Sequence, residues 1–525
     1  MAPEDSRIAK ILRSTLTVGA FTALSRVLGM VREMLQSRMI GAGVEQSAFT
    51  LAFAIPNMAR KLFGEGALTA AFVPVFKREM ESGAHERAER LARAVMTMSL
   101  VMLTAAVALV FLGLESVVAW RRELELSGRT LLTIRRVKTL LPYMIFICGA
   151  AFGMGVLNAL GRFKASSAMP CLLNVMWIGA LLFLCFNPEL RLDQRIHRVA
   201  MAILAAGAVQ FAFMAWRMRR AGVSPVPLFE GWRDANVRRV WSNTAIAAVG
   251  AGAVQMNYML DQVLAQCAAP WAAGVIGYAE RLMDLPLGIV GVAFGTVLLP
   301  AFAGFFARGD LDGARNALSS SVRSLLFVML PAAAGLFALA PEITAVIYQG
   351  RAFDEIATVR VSRSLAVYSL GLGFFGFQKS LVPWFQAQND MKTPLKVSVW
   401  TVCMNASLNI LAVLCLPVEW RHVGLAASTV LCSMCGVAFL ALAAHRRNGS
   451  LGMSKLAVPV MKMLVGSVIM AVAIIAVKRF AVVPPLAQLA ISMAVGGGVY
   501  FASMAAMGVK GIRRRSLCRP AVKND

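Results

Sequence analysis

ALTAAFVPVF, residues 67–76, returns in altered form as AFGTVLLPAF, residues 293–302. The prolines of the two stretches, Pro74 and Pro300, stand 226 residues apart. A second pair has nearly the same offset. GRFKASSAMP, 161–170, aligns in role with FQAQNDMKTP, 385–394, and Pro170 and Pro394 are 224 apart. Two landmarks at nearly one offset point to an internal duplication. Around them run continuous apolar segments of about 20 residues, long enough to cross a hydrocarbon core of roughly 30 Å. They are not the ten-residue alternating segments of a membrane β-barrel. The fold class expected is therefore an all-α polytopic membrane protein.

Composition agrees. Of 525 residues, 58% are hydrophobic and 15% charged, with a mean hydropathy of +0.68. A soluble domain runs at about 45–50% apolar and about 25% charged. About fourteen spans are expected, near 14–38, 46–76, 94–118, 138–161, 168–187, 197–216, 240–266, 273–304, 321–347, 361–387, 395–416, 423–444, 457–477 and 484–508. The repeat offset covers six of them. An even number leaves both copies in one orientation, a parallel repeat about an axis along the membrane normal. Residues 1–220 then form an N-terminal lobe of six helices and 221–447 a C-terminal lobe of six. Residues 448–525 add two C-terminal helices and a basic tail.

The net charge of +26 would suggest nucleic acid in a soluble protein. Here basic loops set topology, and no nucleic-acid partner is expected. With the N-terminus inside, the inside loops hold about twice the lysine and arginine of the outside ones, and both termini are cytoplasmic. The polar start, MAPEDSRIAKILR, reads as a retained cytoplasmic end. The segment 119–138, containing RRELELSGRTLLTIRRVK, breaks the rule and reads as interfacial. Cys432 and Cys435 lie in an expected span with no second pair at zinc spacing, and the four histidines form no ligand cluster.

Four places set charge inside apolar runs. They are SRVLGMVREML (25–35), PNMARKLFGEGALTAAFVP (56–74), YAERLMDLPLG (278–288) and GFQKSLVPWF (376–385). A charge at mid-bilayer costs on the order of 2.5–3.5 kcal/mol on insertion scales, so it must face protein or a wet cavity. Some can pair locally: Lys61 with Glu65, and Arg281 with Asp284. Arg26 has no acid at i±3 or i±4. Arg26, Arg32, Arg60, Arg281 and Lys379 come from both lobes, which suggests a cationic central cavity. An arginine fork suits phosphate. A lipid-linked pyrophosphate meets the demands of charge and membrane together, and a carboxylate substrate also fits. No P-loop, nucleophile elbow or metal spacing is present, so no catalytic residue is expected and the energy source is an ion gradient or the membrane potential. Asp261, in QMNYMLDQVLAQ, is a carboxylate that can ligate a hard cation or sit at the interface.

These segments resemble the MurJ (MviN) family, flippases of the peptidoglycan precursor lipid II. SRVLGMVRE, GAG and FAIPNMARKLFGEGALTAAFVPVF carry the resemblance, with YAERLMDLPLGIVGVAFGTVLLP, YQGRAFD and QNDMKTPLKV following in order. The resemblance implies the fourteen-helix fold of the multidrug/oligosaccharidyl-lipid/polysaccharide exporter superfamily, working by alternating access in the bacterial inner membrane. It implies lipid II, an undecaprenyl-pyrophosphate-linked disaccharide peptide, as the ligand, and cell-wall synthesis proteins as partners. Its substrate-binding positions fall on Arg26, Arg32, Arg60, Lys61, Glu65, Arg281 and Lys379. A sodium site between spans 7 and 11, known in some members, would fall on Asp261, Asn405 and Asn409, with a second carboxylate missing. Sodium is the one cofactor left open. Where the family often has an acid in GAGxxxDAF, this chain reads GAGVEQSAF, with Ser47 at that place and Glu45 two residues earlier. The alternatives are a multidrug or ion antiporter on the same fold, an exporter of another polyprenyl-linked oligosaccharide, and a membrane-bound transferase. The basic cavity counts against the first, and the lack of clustered carboxylates or histidines against the last.

Overall fold

The fold is known from a computed structural model. It describes residues 2–64, 66–120, 127–229, 231, 234–451, 454–480 and 483–509. Among these residues regular structure is helical throughout. The order is α1 (Ala2–Ile40), α2 (Val44–Ala59), a π-helical turn (Arg60–Gly64), α3 (Ala67–Glu81), α4 (His85–Ala119), α5 (Gly128–Leu140), α6 (Tyr143–Ala159), α7 (Phe163–Cys185) and α8 (Leu192–Arg219). Then come α9 (Ala235–Ala268), α10 (Ala272–Ala307), α11 (Leu311–Ala338), α12 (Ala340–Tyr348), α13 (Glu355–Gln386), α14 (Lys392–Cys415), α15 (Val418–Asn448), α16 (Ser454–Phe480) and α17 (Pro485–Ala506). Helix is what a lipid environment demands, because each backbone donor and acceptor must be satisfied within its own segment.

The periodicity seen in the sequence reappears in the helix boundaries. α4, α5, α7 and α8 begin at residues 85, 128, 163 and 192; α11, α13, α14 and α15 begin at 311, 355, 392 and 418, each 226–229 residues later. Among the described residues nine helices are long and apolar enough to cross a membrane, ten when the bent pair α5–α6 counts as one span. The α5–α6 bend is 41°.

The chain divides into two compact units. One is Met1–Val275 with Tyr348–Ala357; the other is Ile276–Ile347 with Thr358–Asp525. In the first, α1 packs on α7, α3 on α9 and α6 on α8. Small residues let α6 and α8 approach closely, as membrane helices without a hydrophobic drive require. A Cβ on Gly207 would come within 2.5 Å of the Tyr143 ring, and one on Gly149 within 2.7 Å of Phe211. Phe49, Phe53, Tyr143 and Trp177 form an aromatic core, with Trp177 edge-on to both phenylalanines at 5.7 and 5.2 Å. In the second unit, α11 packs on α16, α16 on α17 and α14 on α15. Trp384 is fully buried there, edge-on to Phe302 and Phe306 at 5.4 and 5.0 Å, and its indole N–H donates to Asn448 at 3.3 Å.

One local expectation changes, and a second segment gains a helix. The span expected at 46–76 is α2, a π-helical turn and α3 in succession. Pro56 inside α2 removes one backbone donor, and the turn that follows widens the ladder. Gly66 closes the turn, since a Cβ there would lie 2.4 Å from the Lys61 carbonyl oxygen. The segment 119–138 was expected to lie in the interface. Its residues 121–126 are outside the described ones, but Gly128–Leu140 is helix α5, packed on α2 and α8. Ile134, Val137 and Leu140 form its buried stripe, and Arg136 is buried with them at 1% exposure.

Candidate functional site

Helix α1 carries Arg26 and Arg32, six residues and about 240° apart on an ideal helix. Its neighbour α7 fixes what each can reach. Cys171 Sγ donates to the Phe21 carbonyl at 3.4 Å, and Asn174 Nδ2 to the Ser25 carbonyl at 3.0 Å. The two offsets, 150 and 149, are nearly equal, so α1 and α7 run parallel. Asn174 lies between the two arginines. Its Oδ1 accepts from Arg32 at 3.0 Å, and Arg32 also pairs with Glu33 at 2.5 Å and lies 4.4 Å over the Trp177 ring. Arg32 is 9% exposed and its guanidinium is committed to protein partners. Such a buried cation is tolerated because its charge is paired with Glu33 and both terminal nitrogens are hydrogen-bonded, leaving only Nε without a partner among the described residues.

Arg26 is different. It makes no hydrogen bond, ion pair or ring contact among the described residues. It lines a cavity of about 480 Å³ with Val18, Thr22 and Ser25 of α1, Met154 and Asn158 of α6, and Phe163, Ser166, Ser167 and Pro170 of α7. Among the described residues no acidic side chain lines it. An arginine facing such a space has the charge and the fork geometry to take an anion.

Arg60 is the first residue of the π-helical turn, a geometry that recurs at functional sites. Asn57 Oδ1 accepts from its Nη2 at 3.0 Å and its Nε at 3.3 Å. This carboxamide orients the guanidinium. Lys61 is exposed, with its ammonium 5.5 Å from the Tyr258 ring of α9. Glu65 lies outside the described residues. Arg26, Arg32, Arg60 and Lys61 all belong to the first unit, on α1 and the turn after α2.

In the second unit Arg281 is exposed on α10, and its neighbour Glu280 accepts from the Tyr368 hydroxyl at 3.4 Å. Lys379 is exposed on α13 and has no polar partner among the described residues. Asn405 and Asn409 are buried one turn apart on α14, 2% and 1% exposed. Asp261, on α9 of the first unit, accepts from Asn257 at 3.4 Å. Carboxylate and carboxamide oxygens suit sodium in kind. Among the described residues no three His, Cys, Asp or Glu side chains converge to hold a metal ion.

With this geometry in view, comparison with known proteins is decisive. The family described as "Lipid II flippase MurJ" matches residues 36–487. The chain belongs to the MurJ family. A "Probable lipid II flippase MurJ" of Rhizobium tropici is 33% identical over 404 residues, 76% of this chain and 75% of that protein. The solved structure titled "Lipid II flippase MurJ, inward closed conformation" superposes with a TM-score of 0.78 at 20% identity, covering 94% of this chain and 98% of that one. An inward-facing multidrug resistance MATE family transporter of the MOP superfamily reaches 0.66 at 15% identity over 81% and 95%. These two likenesses concern the fold.

Against the MurJ pattern, the substituted acid now has a structural account. Ser47 is fully buried. Its Oγ accepts from the Gly274 N–H at 2.9 Å, in the first turn of α10, and its carbonyl accepts from Gln266 at 2.7 Å. The carboxylate two residues earlier, Glu45, turns to α5 instead and accepts from Arg136 at 2.8 Å. Asp193 of α8 completes the triad on the same guanidinium. Sequence reasoning missed Arg136, Asn174 and Trp177, since each works through partners far along the chain. It also missed the neutral cavity residues Asn158 and Phe163, which carry no charge to draw notice.

Proposed function

We propose that this chain is a lipid II flippase of the bacterial inner membrane, moving the headgroup from the inner to the outer leaflet by alternating access. The step is translocation, with no covalent change to the lipid. The observation that carries the reading is Arg26, an arginine without a protein partner among the described residues, facing a cavity that no acid lines. A pyrophosphate is the group such a site awaits, and membership of the MurJ family supplies the lipid that bears it. Arg60, oriented by Asn57, is the second anion contact of the first unit. Arg281, Lys379, Lys61 and Glu65 are the further headgroup residues proposed from the MurJ pattern. Arg32 is the positioning arginine, holding α1 to α7. Both termini face the cytoplasm, with fourteen spans arranged as lobes 1–220 and 221–447 and an added helix pair within 448–525. Asp261, Asn405 and Asn409 are the residues that would hold a coupling sodium ion, and cell-wall synthesis proteins are the expected partners.

A bacterium depleted of its own flippase tests this. Wild-type protein is expected to restore growth, and Arg26→Ala, accumulating to the same level, is expected to fail. Full growth with Arg26→Ala and Arg60→Ala combined overturns the assignment.

A further inference from the structure

The Arg26 cavity has two ends of different chemistry. Val18 and Arg26 are eight residues apart on α1, about 12 Å on an ideal helix. Because α7 runs parallel to α1, with Cys171 beside Phe21 and Asn174 beside Ser25, Phe163 and Ser167 lie at the Val18 end. Asn158 joins them from the last turn of α6. The cationic group is thus at one end and a neutral rim at the other.

The rim has a specific hydrogen-bonding character. Thr22 Oγ1 donates to the Val18 carbonyl at 2.8 Å, Ser167 Oγ to the Phe163 carbonyl at 2.9 Å and Ser166 Oγ to the Met154 carbonyl at 3.4 Å. Their protons are spent on backbone, so each hydroxyl retains lone pairs for a donor from outside. The Asn158 side chain, exposed at the rim, offers both a donor and an acceptor. Phe163 is 41% exposed and supplies an apolar ring face. Lone pairs, one carboxamide and one open aromatic face match a neutral polyhydroxylated ring with an amide substituent. Among the described residues lining this end none is a second basic side chain that would favour an anion, and none is a carboxylate that would favour a cation. At about 480 Å³ the cavity lies within the usual small-ligand range of roughly 300–1,000 Å³ and exceeds the needs of a phosphate alone.

We propose that the neutral end of this cavity is a sugar subsite, in which Asn158 and Phe163 read an N-acetylated pyranose while Arg26 holds the phosphate joined to it. This deepens the flippase reading and rests on it. It makes Asn158 and Phe163 specificity residues, distinguishing a glycosylated pyrophospholipid from the bare carrier.

The test uses the purified full-length protein and two probes, undecaprenyl pyrophosphate and the same lipid carrying its amino sugars. Wild type is expected to bind both, the glycosylated lipid more tightly. Asn158→Ala and Phe163→Ala are each expected to weaken the glycosylated lipid by roughly tenfold, the scale of one hydrogen bond or stacking contact, and to leave the bare lipid unchanged. Phe163→Trp keeps a ring and is expected to restore glycosylated binding. Arg26→Ala is expected to weaken both. Both side chains are exposed, so the variants should fold, and an unchanged melting temperature checks this. Equal losses for the two lipids, or none, overturn the sugar subsite. Failure of the wild type to bind either lipid overturns the flippase reading beneath it.

Discussion

Arg32 lies 4.4 Å above the Trp177 ring, a cation held against an indole by the same helix that supplies its hydrogen-bond acceptor Asn174. Arg26, two turns earlier on α1, has no such partner among the described residues. Two arginines of one short stretch therefore have different surroundings, one binding α1 to α7 and the other facing a cavity. Arg32→Ala leaves Glu33 and Asn174 buried without their cation, a loss of about 3 kcal/mol on the scale of broken buried pairs. Arg26→Ala removes no hydrogen bond, ion pair or ring contact among the described residues and is expected to leave stability nearly unchanged. Thermal unfolding in detergent checks both: a lower midpoint for Arg32→Ala alone is expected.

Arg136 poses a similar question at the α2–α5–α8 junction. It is the most buried cation of the first unit with two acids on it, Glu45 and Asp193. Arg136→Met keeps volume but strands both carboxylates. Asp193 is half-exposed and rehydrates, so the expected cost is about 2 kcal/mol, mostly from Glu45. The double variant Glu45→Gln with Arg136→Met should recover part of it. A double-mutant cycle on the unfolding midpoint measures the coupling.

The turn between α1 and α2 depends on Gly41. Its φ is +82°, and a Cβ would lie 2.1 Å from the Ala352 carbonyl oxygen. Ala352 in turn donates its N–H to the Arg38 carbonyl at 3.3 Å. Gly41→Ala meets both a left-handed backbone and a backbone clash, so residues 348–357 must leave the end of α1. Limited proteolysis is expected to cut Gly41→Ala near Arg351 while sparing the wild type. Gly43→Ala, with open space at its Cβ, is the matched control.

Asp390 gives a pH signature outside the membrane spans. Hydrogen bonds from Thr393, then Arg447 nearby, hold its carboxyl below the usual carboxylate range. A carboxyl whose folded value is lowered stabilises the fold above its unfolded value, and that stability is lost as pH falls toward the folded one. The melting-temperature gap between wild type and Asp390→Asn is therefore expected to be constant near neutrality and to shrink below about pH 4. A gap that widens on acidification contradicts the placement.

Legibility followed the range of the interactions. The duplication was readable because Pro74 and Pro300 are covalent landmarks, and the helix starts recur with the same period. Arg26 drew notice because an arginine with no acid one turn away stands out in an apolar run. Arg32 was only half readable: Glu33 is adjacent, but Asn174 is 142 residues away. Arg136 looked like a loop charge because Glu45 and Asp193 are 91 and 57 residues distant. The π-helical turn at Arg60 follows from packing around Pro56 and Gly66, and no local propensity announces it. Asn158 and Phe163 are silent in sequence, since neutral residues beside a turn are common; only the cavity gives them meaning.

The central claim is that a ligand phosphate is bound by Arg26 and carried across. The direct measurement is transfer of labelled lipid II between leaflets of proteoliposomes containing the purified chain, with exposure read by an impermeant reagent. The account predicts transfer by wild type and by Lys61→Ala at a reduced rate, and loss of at least tenfold with Arg26→Ala at equal reconstitution. Transfer by Arg26→Ala at the wild-type rate would contradict it.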